Sequence, residues 1–332
     1  MQNPRVICLG EVLFDLIADQ KGRALAEVES WSAYPGGAPA NVACALVKLG
    51  TPTAFVGCVG EDRAGTELVE LLQSVGVETS GIQRHPSAPT RQVYTLRSAG
   101  GDRSFVGFSY GDAAQPEMLA PDRFADAYLQ ADYLPSELFA EADFLITGTL
   151  ELAYAHSQAA VLRALELAKQ YEVKIMVDVN WRPIFWKDDE QAKQEIEKLW
   201  PLLDFLKVSQ EEAEWLFGSA DAGEIARQLG AAEGVVVSAG DAPVSYYLGG
   251  SAGTVAPFDV DVQDTTGAGD SFVAGIVHQL VQQGLGCLSD PKKAQAVIAY
   301  ACAVGGMTAT KAGAIASQPT AAEVETFLQK MS

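Results

Sequence analysis

Phe144-Leu145-Ile146-Thr147, a helical pattern over His156–Tyr171, and then Lys174-Ile175-Met176-Val177 spell one βαβ unit. Two short apolar runs are joined by a connection long enough to be a crossover helix, which is what two parallel neighbouring strands require. The same rhythm extends in both directions. Towards the N-terminus lie apolar runs at Val6–Leu9 and Thr53–Cys58, with helical patterns at Pro39–Leu49 and Asp62–Val75. Pro39 sits just inside its helix, where the missing N–H costs nothing. Towards the C-terminus come the runs Phe205–Lys207 and Val235–Ser238, with helical patterns at Glu190–Trp200 and Ser209–Phe217. The last third predicts helices near 268–284, 291–310 and 320–330. This alternation predicts an α/β fold with a doubly wound, mostly parallel sheet in a single domain over residues 1–332.

Two regions break the rhythm. Residues 12–34 and 90–110 read as extended hairpin material, with Val93–Leu96 and Ser104–Phe108 flanking the turn Ala99-Gly100-Gly101-Asp102. Strands inserted outside the βαβ series form a small side sheet. Its expected place is as a β-lid over a site at the carboxyl ends of the main strands.

Composition narrows the function. With 48% hydrophobic and 20% charged residues among 332, the chain has ample material for a core. Its 23 basic against 43 acidic residues give a formal charge of −20, which repels nucleic acid. An anionic ligand must therefore meet locally arranged positive groups. Cys8, Cys44, Cys58, Cys287 and Cys302 are odd in number and form no Cys-x-x-Cys pair, so neither a zinc site nor a disulfide framework is indicated. His85, His156 and His278 are scattered and read as structural or surface residues. The apolar run after Met1 is too short for a secretory signal, and no segment approaches the ~18 apolar residues of a membrane span. The expectation is a soluble, cytoplasmic protein with no membrane partner.

Chemistry concentrates in Asp264-Thr265-Thr266-Gly267-Ala268-Gly269-Asp270-Ser271-Phe272. Three small residues precede an amphipathic stretch with Phe272, Val273, Ile276 and Leu280 at helical spacing. Unpaired backbone N–H groups and the positive end of a helix then surround one open position, which suits an anion. At its edge stands Asp270. One reading makes it the base that takes the proton of a hydroxyl attacking a phosphoryl group held by the glycines. The other makes it a first-turn charge or cap. A second glycine cluster, Tyr34-Pro35-Gly36-Gly37-Ala38-Pro39-Ala40-Asn41, opens the first long helix. Its glycines admit a ligand close to backbone, and Asn41 offers a donor and an acceptor to a sugar hydroxyl. Asp15 stands in an otherwise apolar run, costly unless it binds something.

Taken together, Gly-Glu-x-Leu-x-Asp at 10–15, Gly-Gly-Ala-x-x-Asn at 36–41, Gly57-x-Val59-Gly60-x-Asp62-x-x-Gly65, Asp178-x-Asn180-x-Arg182-Pro183-x-x-Trp186 and the 264–272 run resemble the ribokinase-like (PfkB) family of carbohydrate kinases, and more closely its fructokinase branch. The resemblance runs from Gly10 to about Pro319. It implies Asp270 as catalytic base and Gly267, Ala268 and Gly269 as anion hole. It implies sugar contacts at Asp15, Gly36, Gly37 and Asn41, with Arg182 near substrate and transferring phosphate. ATP would meet Val237-Ser238-Ala239-Gly240, chiefly Ser238 and Gly240, together with Gly267 and Gly269. Mg²⁺ would be organised indirectly by Glu212, and a monovalent cation, K⁺, would sit by Asp264 and Thr266. Relatives suggest a homodimer through the lid.

Three positions depart from the family pattern. Serine replaces asparagine in Ser209-Gln210-Glu211-Glu212, which also reads as a plain capping box. Pro243 follows the nucleotide loop where many relatives carry glycine. In the lid segment 108–114, Tyr110 stands where fructokinases and ketodeoxygluconate kinases often place arginine, and Arg91, Arg97 and Arg103 nearby read as exposed, solvated side chains. The expected activity is ATP-dependent phosphorylation of a sugar primary hydroxyl, with D-fructose giving fructose 6-phosphate. The alternatives are a 2-keto-3-deoxygluconate, ribose-type or nucleoside kinase of the same family, or a non-catalytic sugar-binding relative.

Overall fold

Along the first strand, β1 (Val6–Leu9), side chains alternate between two separate cores. Val6 and Cys8 join the helices Ala38–Lys48, Arg63–Val75, Ala268–Gln283 and Pro291–Ala309. Ile7 and Leu9 join Ala155–Gln170, Asp189–Glu197, Gln210–Phe217 and Ala222–Leu229. Burial on both faces explains why these strands read as continuous apolar runs rather than alternating ones.

A computed structural model of the chain describes residues 3–98, 103–111 and 117–331. The remaining strands in chain order are β2 (Leu13–Ala18), β3 (Trp31–Gly36), β4 (Thr53–Gly60), β5 (Glu78–His85), β6 (Gln92–Arg97), β7 (Arg103–Tyr110) and β8 (Glu117–Leu119). They continue with β9 (Phe144–Thr147), β10 (Lys174–Asp178), β11 (Phe205–Ser209), β12 (Gly234–Ala239), β13 (Ala242–Leu248) and β14 (Ser251–Val255). The predicted turn at Ala99–Asp102 and the Asp112–Ala114 part of the lid segment lie outside the described residues, as does the side chain of Arg103.

The larger sheet has nine strands in the order β14-β13-β12-β11-β10-β9-β1-β4-β5. It is parallel from β5 through β12, and only the β12–β13–β14 meander is antiparallel. The chain winds outward from β1 to β4 and β5, then restarts at β9 on the other side of β1. That reversal opens a crevice beyond the carboxyl ends of β1 and β9, the usual ligand position in open α/β sheets. Pro243, which has no N–H to donate, follows the register shift where Ala239 pairs with Ala242.

The smaller sheet has five strands in the order β3-β2-β6-β7-β8. Its β2 pairs antiparallel with β3 and parallel with β6. Two of its arginines correct the sequence expectation. Arg91 is 1% exposed, not solvated. Its Nε and a terminal nitrogen donate to Asp126 at 2.6 and 2.8 Å, and its guanidinium lies 4.6 Å from the Phe124 ring centre and 4.8 Å from that of Phe108. A planar cation with a two-point carboxylate partner and aromatic faces can be buried where a lone charge cannot. Half-buried Arg97 donates to the carbonyls of Ala18 and Asp19 at 2.8 and 2.7 Å, tying the end of β6 to β2.

Candidate active site

The helix Ala268–Gln283 begins at Gly267, whose φ of +75° places it in the left-handed region. A side chain there would also strike Ala314, 2.7 Å from the added Cβ. Glycine is therefore required to turn the chain into the helix, whose first N–H, that of Ala268, donates to the Thr265 carbonyl at 3.2 Å. Deeper in, Gly275 and Gly305 let this helix approach Pro291–Ala309 closely: an added Cβ would lie 2.8 Å from Ala301 Cα and 2.9 Å from the Ala268 carbonyl respectively. The second loop is built the same way. Gly37, at φ +101°, precedes the helix Ala38–Lys48, and a Cβ on it would lie 2.4 Å from the Glu11 carbonyl. A Cβ on Gly36 would lie 2.4 Å from an Asp15 carboxylate oxygen.

These two loops face each other. Asn41 Nδ2 donates to Asp270 Oδ2 at 2.8 Å, across 229 residues of sequence. Around this contact opens a cleft of about 530 Å³ lined by Asp15, Gly37, Asn41, Arg182, Thr266, Gly267, Gly269 and Asp270, with Glu11, Lys207 and Glu212. Buried Asn41 keeps its Oδ1 without a donor among the described residues. Burial pushes the Asp270 carboxyl above its ordinary value, while Asn41, Lys207 and Arg182 hold the shift back. Arg182 is exposed at the cleft and donates to the Trp181 carbonyl at 3.0 Å.

Other predicted site residues are placed differently. Glu212 is buried, and its two oxygens accept N–H from Trp181 and Ser209, each at 2.7 Å. The Ser209 hydroxyl in turn accepts from Glu212 N at 3.2 Å, so Ser209-Gln210-Glu211-Glu212 is a complete capping box that also borders the cleft. Asp264 accepts from Thr266 N and Oγ1 at 3.0 and 2.6 Å and from Gly313 N at 3.1 Å, pinning the cradle loop to the turn before residue 314. Ser238 is outside the lining but pairs across the sheet with Ser209, which is in it, and Gly240 with φ +60° starts the next turn.

Sequence reasoning missed a set of buried ionisable groups beneath the cleft. Lys207 and Asp178 are 7% and 4% exposed, and Lys207 Nζ meets Asp178 Oδ1 at 3.0 Å. Burial pushes Asp178 up to about 6 although Lys207 opposes the shift. Burial draws Lys207 down, but Asp178 and Glu212 more than restore it, so the ammonium persists. Glu11 is driven up to about 8, first by burial, and Glu151 is also raised by burial and by Glu11. Asn180 lines the cleft at φ +39°, a conformation that asparagine tolerates better than most residues. The available signal was a charge within an apolar strand, Phe205-Leu206-Lys207-Val208, and an acid at a strand end.

Comparison with known proteins agrees with this arrangement. Residues 3–321 match the pfkB family carbohydrate kinases. The chain belongs to that family. Fructokinase-2 of Solanum lycopersicum is 34% identical over 327 residues, covering 98% of this chain and 96% of that one. Fructokinase-1 of Zea mays is 35% identical over 328 residues, covering 98% of each. The crystal structure of a fructokinase with bound ATP from Xylella fastidiosa superposes with a TM-score of 0.86 at 28% identity, over 98% of both chains. The doubly wound sheet with a separate five-stranded sheet is thus the fold of a pfkB carbohydrate kinase.

Proposed function

We propose that this carbohydrate kinase transfers the γ-phosphoryl group of ATP to the 6-hydroxyl of D-fructose, giving fructose 6-phosphate and ADP. The observation that carries the reading is the Asn41–Asp270 hydrogen bond, which sets a polar sugar loop against the one acid at the mouth of the glycine cradle. Asp15, Gly36, Gly37 and Asn41 hold the sugar, and the free Asn41 Oδ1 accepts from one of its hydroxyls. Asp270 takes the proton of the attacking hydroxyl, and a carboxyl raised towards neutrality is a better match for that task. The amides of Gly267 and Gly269 face the equatorial oxygens, and Arg182 adds a planar cation. Ser238 and Gly240 continue the strand ends towards the rest of the nucleotide. The five-stranded sheet acts as lid and excludes water that would hydrolyse ATP.

Magnesium arriving with ATP would meet a hard carboxylate at the rim in Glu211, whereas both oxygens of Glu212 hold backbone N–H groups and leave it an indirect role; no cluster of three or more such ligands stands among the described residues. When bound, Mg²⁺ would supply positive charge to the phosphate oxygens, with Glu212 holding the cleft wall beside it. K⁺ beside Asp264 and Thr266 is a separate proposal, tested by turnover in K⁺ against tetramethylammonium. A homodimer through edge strand β3 is tested by sedimentation. The five cysteines, all free and buried, fit a reducing cytoplasm.

Fructose is favoured over a sugar acid by charge. The cleft residues around Asn41 include the acid Asp15 with apolar Leu13 and Val93, whereas its two cations, Arg182 and Lys207, are those that act on Asp270. A coupled ADP assay over D-fructose, 2-keto-3-deoxygluconate, ribose and nucleosides decides. The highest kcat/KM is expected for fructose; preference for the sugar acid would contradict the substrate reading, and no turnover with any acceptor would favour a non-catalytic sugar binder.

A further inference from the structure

Lys207 is the charged group for which the reaction as described has no task. It lies in β11, one of the central buried strands, where an apolar residue would pack as well. Removing a lysine and an aspartate from water costs several kcal/mol per ion, so a buried pair is poor evidence of a stabilising role by itself. Its position is more informative. Lys207 lines the cleft together with Gly267, Gly269 and Asp270, and a Cβ added to Gly269 would lie 3.7 Å from its Nζ. The ammonium therefore stands beside the cradle amides. Of its three N–H donors, one meets Asp178 Oδ1 at 3.0 Å, the one acceptor it has among the described residues. In a chain of charge −20, a phosphate must find its cations locally.

We propose that Lys207 is a catalytic cation of the transfer, its Nζ donating to an equatorial oxygen of the γ-phosphoryl group while the Gly267 and Gly269 amides take the others, and that Asp178 is the positioning residue that aims it. This rests on the kinase reading above. The sugar hydroxyl oxygen forms its bond to the γ-phosphorus as the bond from that phosphorus to the β–γ bridging oxygen breaks. The electron pair leaves on ADP, and the hydroxyl proton passes to Asp270. Lys207 meets the charge gathered on the phosphoryl oxygens in that exchange. It also shares its field with Asp270, Asp178 and Glu212, while Arg182 adds positive charge at Asp270.

Two variants separate this role from a structural one. The double variant Asp178→Asn/Lys207→Met removes both charges at nearly constant volume. Lys207→Gln keeps a donor for Asp178 and removes only the positive charge. Both are expected to melt cooperatively and to bind fructose within about threefold of the parent, while kcat falls roughly 100-fold or more, as for loss of one preorganised donor. The acidic limb of kcat should also move to higher pH, because Asp270 loses a favourable cation; a merely structural pair would leave that limb in place. A kcat within threefold of the parent in either folded variant overturns the proposal, and so does loss of cooperative melting in both, which would show that the pair holds the fold. If the unaltered enzyme phosphorylates no sugar, it is the kinase reading that fails, and Lys207 with it.

Discussion

Asp178, at the end of β10, is paired with a cation on the neighbouring β11; Glu11, just past the end of β1, is paired with another acid, Glu151, just past the end of the neighbouring β9. Both acids are buried below the same cleft, yet they end in different states. Lys207 keeps Asp178 down at about 6, so the pair is ionic near neutral pH and can face a phosphate. Burial drives Glu11 up to about 8 and also raises Glu151, where Glu11 adds to the shift, so these acids hold their protons to higher pH than usual. Glu11 then does a structural job: its Oε1 accepts from Ala38 N at 2.8 Å and fixes the start of the helix Ala38–Lys48. Burial raises both acids, and the charges around each set how far: Lys207 opposes the rise at Asp178, whereas Asp126 and Asp270 add to it at Glu11.

That contrast can be broken most forcefully at a second acid–cation pair, Arg91–Asp126, just before β6 of the five-stranded sheet. Arg91→Met leaves Asp126 buried with no counter-charge and should cost about 3–5 kcal/mol, read as a lower melting temperature or denaturation midpoint. An unchanged midpoint would mean that the cation is dispensable. Next is the acid–acid pair. Because folding raises these carboxyl pKa values, the folded chain holds protons that the unfolded chain has released, and stability falls as pH rises from about 4.5 through about 8. Glu151→Gln removes one of the two acids. It should raise stability at pH 8–9 by on the order of 1–3 kcal/mol and change little at pH 5. Urea melts at both pH values check this, and a loss at pH 8 would contradict the burial of two raised carboxyls. The third case is an acid with a neutral donor. Asn41→Ala should raise the fructose KM roughly tenfold, the value of about one hydrogen bond to a charged group. It should also move the acidic limb of kcat upward, since Asp270 loses the partner that favours its ionised form.

The fold was legible where burial is two-sided. β1 and β9 fall where their apolar runs predict, and the other four predicted strands differ by no more than two residues at an end. β5 was missed because Glu78–His85 is a polar, half-exposed edge strand; the β13–β14 hairpin was missed although Gly249-Gly250, both at positive φ, mark its two-residue turn. At the site, glycines and the acid beside them were readable because only glycine fits the conformation at Gly37 and Gly267. Lys207 was read as the end of a strand, and Arg91 as solvated, because the partners that permit their burial are 29 and 35 residues away in sequence. Glu212 shows the converse: one Ser-x-x-Glu pattern is both helix cap and cleft wall, and local sequence cannot separate the two.

The account stands or falls on Asp270 as the base, and Asp270→Asn tests it with little change of shape. Asparagine can still contact Asn41 but cannot take a proton. Fructose affinity should stay within a fewfold of the parent, while kcat falls by about 10²–10⁴, the usual contribution of a positioned base. Near-parental kcat in a variant that folds and binds fructose would contradict it.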